Sequence, residues 1–125
     1  MLRRISLNAL LPLLALIGAC GPAMAHAHLK ASVPDQGATL QAAPEHIVLT
    51  FSGPVELNFS SITITGPGKT TVKAGEASHG QEANTHVLEA PVTMSTTPGA
   101  YRVDWRVLST DGHKMKGSYE FSIKP

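Results

Sequence analysis

The sequence predicts an all-β fold, an immunoglobulin-like Greek-key antiparallel β-sandwich of about seven strands. Short runs that alternate apolar and polar residues recur along the chain, and clusters of Pro, Gly, Ser and Asn separate them. No stretch after residue 25 sustains the 3.6-residue period of an amphipathic helix. Because the chain has a single cysteine, a disulfide-linked antibody-type domain is excluded.

Residues 1–25 are predicted to be an export signal that precedes this fold. Arg3 and Arg4 come before an apolar run at residues 9–17, and Ala23-Met24-Ala25 fits the small-x-small cleavage pattern. Cleavage there leaves residues 26–125 as one domain that contains no cysteine, since Cys20 lies in the signal. A second possibility stays open, because residues 17–20 resemble a lipobox in which Cys20 would be lipidated and become the first residue.

The first strands are expected near the start of the domain. Residues 28–33 can form a strand that the turn at 34–37 ends. Residues 47–51 then alternate Ile47, Leu49 and Phe51 on one face with Val and Thr on the other, which indicates a strand with one buried face.

The middle of the domain is predicted to contain weaker strands. Residues 61–65 alternate two isoleucines with Ser and Thr, and Gly66-Pro67-Gly68 is a clear turn signal. Residues 70–73 form a possible weak strand, residues 74–84 a polar loop, and residues 85–89 a strand that Pro91 closes.

The two strongest strands are expected at the C-terminal end. In residues 101–108 the apolar side chains share one face and the charged side chains share the other. In residues 115–123 the last apolar side chains point inward. The side chains predicted to fill the core from these strands are Tyr101, Val103, Trp105, Val107, Tyr119, Phe121 and Ile123, which pack with Phe51.

Charge gives no sign of a nucleic-acid or lipid partner. Without Arg3 and Arg4 the chain carries eight basic and nine acidic residues, and no basic stripe or basic amphipathic helix is present. No segment after the signal reaches membrane-spanning length. We therefore expect a soluble monomer with no membrane span of its own.

His26 is the first candidate metal ligand. Cleavage after Ala25 would make His26 the first residue, and its free α-amine and ring nitrogen could then bind one metal ion as a chelate. An internal histidine has no free amine, so the cleavage would also create the ligand.

Residues 109–113, with the sequence Ser-Thr-Asp-Gly-His, supply the second candidate feature. Gly112 permits a sharp turn, and Asp111 and His113 can project to the same side. With His26 they make a set of three nitrogens and one oxygen, which suits Cu(II), the leading metal in the divalent affinity order. Zinc could occupy the same ligands in vitro. The absence of cysteine and of a methionine cluster argues against a dedicated Cu(I) site.

Other histidines leave alternatives open. A free N-terminus with His28 in third position can bind Cu(II) through the amine, two deprotonated amides and the His28 ring. If residue 29 begins a strand, His28 instead packs beside or supports the site. His46, His79 and His86 are interpreted as surface histidines.

The sequence resembles the CopC-like copper resistance proteins (CopC domain), which include the YobA-type periplasmic proteins. The resemblance covers residues 26–125. Its markers are the segments 26–29 (HAHL), 32–34 (SVP), 47–52 (IVLTFS), 99–113 (GAYRVDWRVLSTDGH) and Gly117. It implies a periplasmic β-sandwich that binds one Cu(II) per chain through His26, Asp111 and His113, with no catalytic step.

The chain departs from some relatives in two places. Some carry an acidic residue near the copper at the position that corresponds to Gly53. Some carry a methionine-rich Cu(I) site in the middle loop, whereas residues 66–84 contain no methionine here. The resemblance also implies a CopD-like inner-membrane partner, which would be a separate protein.

Two other functions remain possible from the sequence. An N-terminal histidine chelate also occurs in copper enzymes that cleave polysaccharides oxidatively, but these keep open coordination positions and a flat aromatic surface, which we do not expect here. The domain could also be an interaction module without a metal, because a sandwich fold does not determine function.

Overall fold

The computed structural model describes residues 27–125, in which eight strands and one short 3₁₀ helix (Pro67–Lys69) form. The strands are β1 (Leu29–Val33), β2 (Thr39–Leu40), β3 (His46–Phe51), β4 (Val55–Thr65), β5 (Thr71–Ala74), β6 (Val87–Thr93), β7 (Gly99–Ser109) and β8 (Lys114–Ile123). The predicted signal and His26 lie outside the described residues. The all-β prediction is confirmed.

The strands form one curled sheet whose two halves face each other as a sandwich. Its order is β1-β3-β6-β5-β4-β7-β8-β2. Strands β1, β3 and β6 make one layer, and β4, β7, β8 and β2 make the other. Strand β5 pairs with both β4 and β6, so it joins the two layers along one side.

The core lies between the layers and contains the side chains that the alternation predicted. Ile47, Leu49 and Phe51 of β3 are buried. So are all seven inward residues predicted for β7 and β8. The Phe51 and Trp105 rings meet edge to face with centroids 5.2 Å apart, which ties β3 of one layer to β7 of the other.

Two predictions about strand boundaries were incomplete. Strand β2 was not predicted, because it has only two residues and is held by parallel pairing with β8. Strand β6 continues to Thr93 instead of ending at Pro91. The β5–β6 pairing stops at Ala74 and Val92. The Pro91 carbonyl still accepts a hydrogen bond from the Gly75 amide, which lies just past the end of β5. The strand can therefore contain a proline here, because its missing N–H falls where the pairing ends.

Strand β4 is longer than predicted and contains a bulge. Its register against β7 shifts between Glu56 and Ser61, where only Val107 lies opposite the intervening residues. The bulge places Phe59 in solvent with 83% of its surface exposed and a positive φ of 67°. We expected no flat aromatic surface, and one exposed ring does not make one.

Within residues 27–125, no helix has the length and apolar character needed to cross a lipid bilayer.

Candidate metal centre

The turn between β7 and β8 has the compact geometry that its glycine suggested. Gly112 has a φ of +88°, a conformation that favours glycine. Its amide donates to the Ser109 carbonyl at 2.9 Å, and the Ser109 amide donates to the His113 carbonyl at 2.9 Å. These bonds close residues 109–113 into a small loop anchored on two long strands.

Asp111 and His113 project together from this turn, as predicted. The Nδ1 atom of His113 lies 3.1 Å from Oδ1 of Asp111, and the His113 amide donates to the same oxygen at 3.2 Å. The buried Ser109 hydroxyl also donates to that oxygen. An imidazole and a carboxylate are therefore held side by side at the surface of the molecule.

The surroundings of Asp111 keep its carboxyl group ionised. The hydrogen bond from Ser109 is the main cause that holds the pKa of Asp111 well below its usual range, and the hydrogen bonds and charge of His113 act in the same direction. Partial desolvation opposes them without reversing the shift. The carboxylate is therefore a negatively charged oxygen donor at all pH values near neutrality.

The first described residue lies at the same end of the sandwich as this turn. Ala27 is buried, with 1% of its surface exposed, and its backbone and Cβ lie against Gly53. The next residue, Pro54, accepts a hydrogen bond from the Thr110 amide at 3.2 Å. The Gly53-Pro54 segment therefore contacts both Ala27, which follows His26 in the sequence, and the turn that carries Asp111.

His28 is hydrogen-bonded to Ser52. Its amide donates to the Ser52 hydroxyl at 2.9 Å, its Nδ1 lies 3.0 Å from that hydroxyl, and its carbonyl accepts from the Ser52 amide at 2.8 Å. A chelate that uses the His28 ring and a deprotonated His28 amide would have to break these bonds. The arrangement favours a supporting position for His28.

The other histidines have contacts of their own. His46 contacts Glu89 at 3.1 Å, and Nδ1 of His79 lies 2.8 Å from the Val87 carbonyl oxygen. The carbonyl of His86 is used by the Phe51 amide. Among residues 27–125, no three His, Cys, Asp or Glu side chains come together in a group that could hold a metal ion. A site with three ligands of these types therefore needs a donor from outside that range, and His26 stays a prediction.

Sequence reasoning missed two residues that organise this region. Ser109 and Ser52 each place a hydroxyl on a candidate site residue, Asp111 and His28 respectively. Ser109 could have been recognised, because its odd position continues the inward face of β7 and a buried hydroxyl needs a partner nearby. Ser52 carries no such signal, since its role depends on the pairing of β1 with β3.

Comparison with known proteins places these features in context. The family model described as "CopC domain" matches residues 29–124. The chain is 44% identical over 100 residues to Protein YobA of Escherichia coli (strain K12). The aligned residues cover 80% of this chain and 80% of that protein.

Two solved structures are similar over most of the chain. The crystal structure of CopC from Methylosinus trichosporium OB3b has a TM-score of 0.72 and 32% identity, covering 80% of this chain and 95% of that chain. The structure of PcoC, a methionine-rich copper resistance protein from Escherichia coli, has a TM-score of 0.70 and 34% identity, covering 80% and 100%.

Proposed function

The chain belongs to the CopC domain family, and we propose on that premise that it is an exported copper-binding protein of copper resistance or homeostasis. In this proposal one Cu(II) ion per chain is the cargo. The ligands are the amine and ring of His26, the ring of His113 and a carboxylate oxygen of Asp111. The protein buffers, sequesters or delivers copper, and its own function includes no catalytic step.

The observation that carries the proposal is the position of the β7–β8 turn. Asp111 and His113 face each other at 3.1 Å on the turn whose Thr110 amide bonds to Pro54, and Gly53 lies against Ala27. Cleavage after Ala25 would thus start the chain one residue before a buried anchor at this end of the sandwich. This supports a shared site for the new N-terminus and the turn.

The chemistry of the described residues fits a divalent ion. His113 offers an imidazole nitrogen and Asp111 an ionised carboxylate oxygen, and these donors are held 3.1 Å apart, close enough to contact one ion. Imidazole and carboxylate donors suit Cu(II), whereas Cu(I) prefers sulfur. Met94 follows the end of β6, Met115 lies in β8, and residues 66–84 contain no methionine. The proposal therefore includes no Cu(I) site and no transfer between two sites.

The proposed location is the periplasm, after removal of residues 1–25. A CopD-like inner-membrane protein is the proposed recipient of the copper. The chain itself would reach that partner by diffusion.

The test uses a free and a blocked N-terminus. Cu(II) is titrated into protein that begins at His26 and into a matched protein with one alanine added before His26. The added residue converts the amine into an amide and leaves every side chain in place. We expect one Cu(II) per chain for the first protein and at least a 100-fold weaker affinity for the second.

The His28→Ala variant is the matched control and should retain the affinity of the unmodified protein within a few-fold. Equal affinity of the free and blocked proteins would show that the amine is not a ligand. A loss in His28→Ala as large as in the blocked protein would instead support the peptide chelate. Intact mass and N-terminal sequencing of the exported protein would decide between His26 and a lipidated Cys20 as the first residue.

A further inference from the structure

A second surface of the molecule, separate from the candidate ligands, has the composition of a docking site. It is a cavity of about 490 Å³ lined by Phe59 of the β4 bulge, Arg106 and Val107 of β7, and Lys114, Met115 and Lys116 of β8. We call these six residues the Phe59 groove. The groove lies beside the turn that carries Asp111 and His113, because β7 enters that turn and β8 leaves it.

The exposed apolar surface of the Phe59 groove is the Phe59 ring, 83% of whose surface is accessible. Val107 is buried and Met115 is half-buried against the core, so the β7–β8 ladder at these two residues forms the floor beneath the ring. Leu57 of the same bulge is also exposed, at 37%. Exposed large apolar side chains rimmed by polar residues are typical of a surface that binds another molecule.

The rim of the groove is positively charged. Arg106, Lys114 and Lys116 are all exposed. In the part of the chain that the structure describes, the ion pairs are those of His46, Arg102 and His113, so none involves these three cations. Three such cations beside an exposed aromatic ring are complementary to a ligand that is both acidic and hydrophobic.

The backbone at Phe59 adopts an unfavourable conformation. A phenylalanine with a φ of 67° is uncommon, since the left-handed region suits Gly, Asn and Asp far better. Burial does not offset this conformation, because the ring contacts mostly solvent. The combination of backbone strain and an exposed ring is consistent with a role in recognition.

We propose that the Phe59 groove binds an acidic segment of a separate protein, with one apolar side chain of that segment packed against the Phe59 ring. A concave surface with a single exposed ring suits one side chain, which a flat lipid surface cannot supply. A second copy of this chain would bring its own three cations against those of the first. The proposal does not depend on the metal ligands, and it predicts that a bound partner would lie next to them.

The test is a titration of the purified ¹⁵N-labelled protein, followed by NMR, with four probes. The first is an acetylated and amidated decapeptide of eight glutamates around a central Leu-Phe pair. The second is the same peptide with glutamine for every glutamate. The third is phosphatidylglycerol vesicles, and the fourth is the unlabelled protein itself.

We expect the acidic peptide to shift the amide signals of the Phe59 groove and to bind at least 10-fold more tightly than its glutamine counterpart. Raising the salt from 50 to 300 mM should weaken that binding. The double variant Lys114→Glu with Lys116→Glu should weaken it at least 10-fold. The exposed Lys73 of β5 provides a matched control, and Lys73→Glu should leave the affinity within twofold.

Phe59→Gly separates recognition from stability. It removes the ring and the unfavourable φ together, so it should weaken peptide binding at least 10-fold without lowering the unfolding midpoint. Lys69 has a similar φ of 60° on the 3₁₀ helix, and Lys69→Gly is therefore the control that relieves strain and keeps the affinity. Absence of shifts in the groove, equal affinity for the glutamine peptide, or shifts caused only by vesicles or by self-association would each overturn the proposal.

Discussion

Ser109 determines the chemistry of the candidate site without being one of its proposed ligands. Its buried hydroxyl donates to the Asp111 carboxylate, and that bond is the main cause of the lowered pKa of the carboxyl group. Because the pKa of Asp111 is lower in the folded state than in the unfolded state, its ionised carboxylate stabilises the fold fully above about pH 4. This stabilisation is lost as the pH falls below that value. The carboxylate therefore stays charged throughout the pH range around neutrality.

This leads to a prediction about Ser109→Ala. Copper affinity at pH 7 should fall roughly 3- to 10-fold, because a hydrogen bond to a charged group contributes about 1 kcal/mol or more to holding Asp111 in place. The pH at which half the copper is lost should not move, since the substitution leaves the nitrogen donors, which bind the ion only when deprotonated, unchanged. Cu(II) titrations between pH 5 and 7.5 measure both quantities. Thr110→Ala, on the exposed neighbouring position, should change neither, and a shift of the half-loss pH in Ser109→Ala would contradict this account.

Gly117 is a residue whose smallness the core requires. It pairs with Trp105 across β7 and β8, and a Cβ at position 117 would lie 2.4 Å from Cζ2 of the indole. The indole is rigid and buried, so the strands would have to move apart to accept the methyl group.

We predict that Gly117→Ala destabilises the protein by about 2 kcal/mol. For a domain of this size the thermal midpoint should fall by roughly 10 °C, measured by circular dichroism. Gly53→Ala is the matched control, because the nearest atom to its Cβ would be the Ala27 Cβ at 3.6 Å, an ordinary contact. Its midpoint should stay within about 2 °C, and equal losses in the two variants would show that the Trp105 contact is not the cause.

At the scale of elements, the bulge in β4 is the feature that most affects the surface. Ser60 holds it in place, because its hydroxyl accepts from the Leu108 amide at 3.1 Å and donates to the Glu56 carbonyl. The side chain thus takes the place of a backbone partner where the β4–β7 ladder is interrupted.

Ser60→Ala should therefore cost about 1 to 2 kcal/mol, since it leaves the Leu108 amide without its partner. Urea unfolding should show a lower midpoint and an unchanged m-value, because the surface exposed on unfolding is the same. The neighbouring Ser61→Ala changes an exposed serine within the paired part of the strand and should be nearly neutral. A Ser60→Ala midpoint equal to that of Ser61→Ala would mean that the hydroxyl does not support the bulge.

The strand pattern could be predicted from the sequence because burial follows alternation. In β3, β7 and β8 every predicted inward residue is buried. The sequence also contains evidence for the bulge. Val55 is inward at an odd position, whereas Ile62 and Ile64 are inward at even positions. The alternation must therefore change phase between residues 55 and 62. It contains no such evidence for strand β2, because a two-residue parallel pairing depends on where β8 lies.

At the scale of the whole molecule, the candidate site could be predicted only in part. Asp111 and His113 were predicted to lie together because they flank Gly112 in one short turn. The proximity of Ala27 to that turn comes from long-range pairing, since Leu29 lies opposite Phe51 and Val55 lies opposite Ser109. No local pattern contains this information.

Tyr119 connects the stability of the sandwich to pH. Burial raises its pKa to about 12, and the charge of Asp35 adds to the rise, while the Ser32 hydroxyl opposes it. The folded pKa exceeds the unfolded value of about 10, so the neutral phenol is favoured in the fold. The resulting stability is complete below pH of about 10 and is lost as the pH rises towards 12.

We predict that the urea midpoint falls between pH 10 and 12 and that Tyr119→Phe makes this fall smaller. Midpoints at pH 8, 10 and 11 for the two proteins provide the measurement. Tyr101→Phe, which removes the other tyrosine hydroxyl and its bond to the Thr97 carbonyl, is the control and should keep the alkaline fall. An identical pH profile in Tyr119→Phe and the unmodified protein would refute the assignment to Tyr119.

Strand β5 belongs to both ladders and joins the layers on one side, whereas β1 and β2 are the end strands at the opposite margin. Those end strands are consecutive in the chain, and only residues 34–38 separate them. Residues 41–45 then return the chain from β2 to β3, so two five-residue connections span the margin. A single proteolytic nick in either connection would therefore leave the other one covalently intact across that margin.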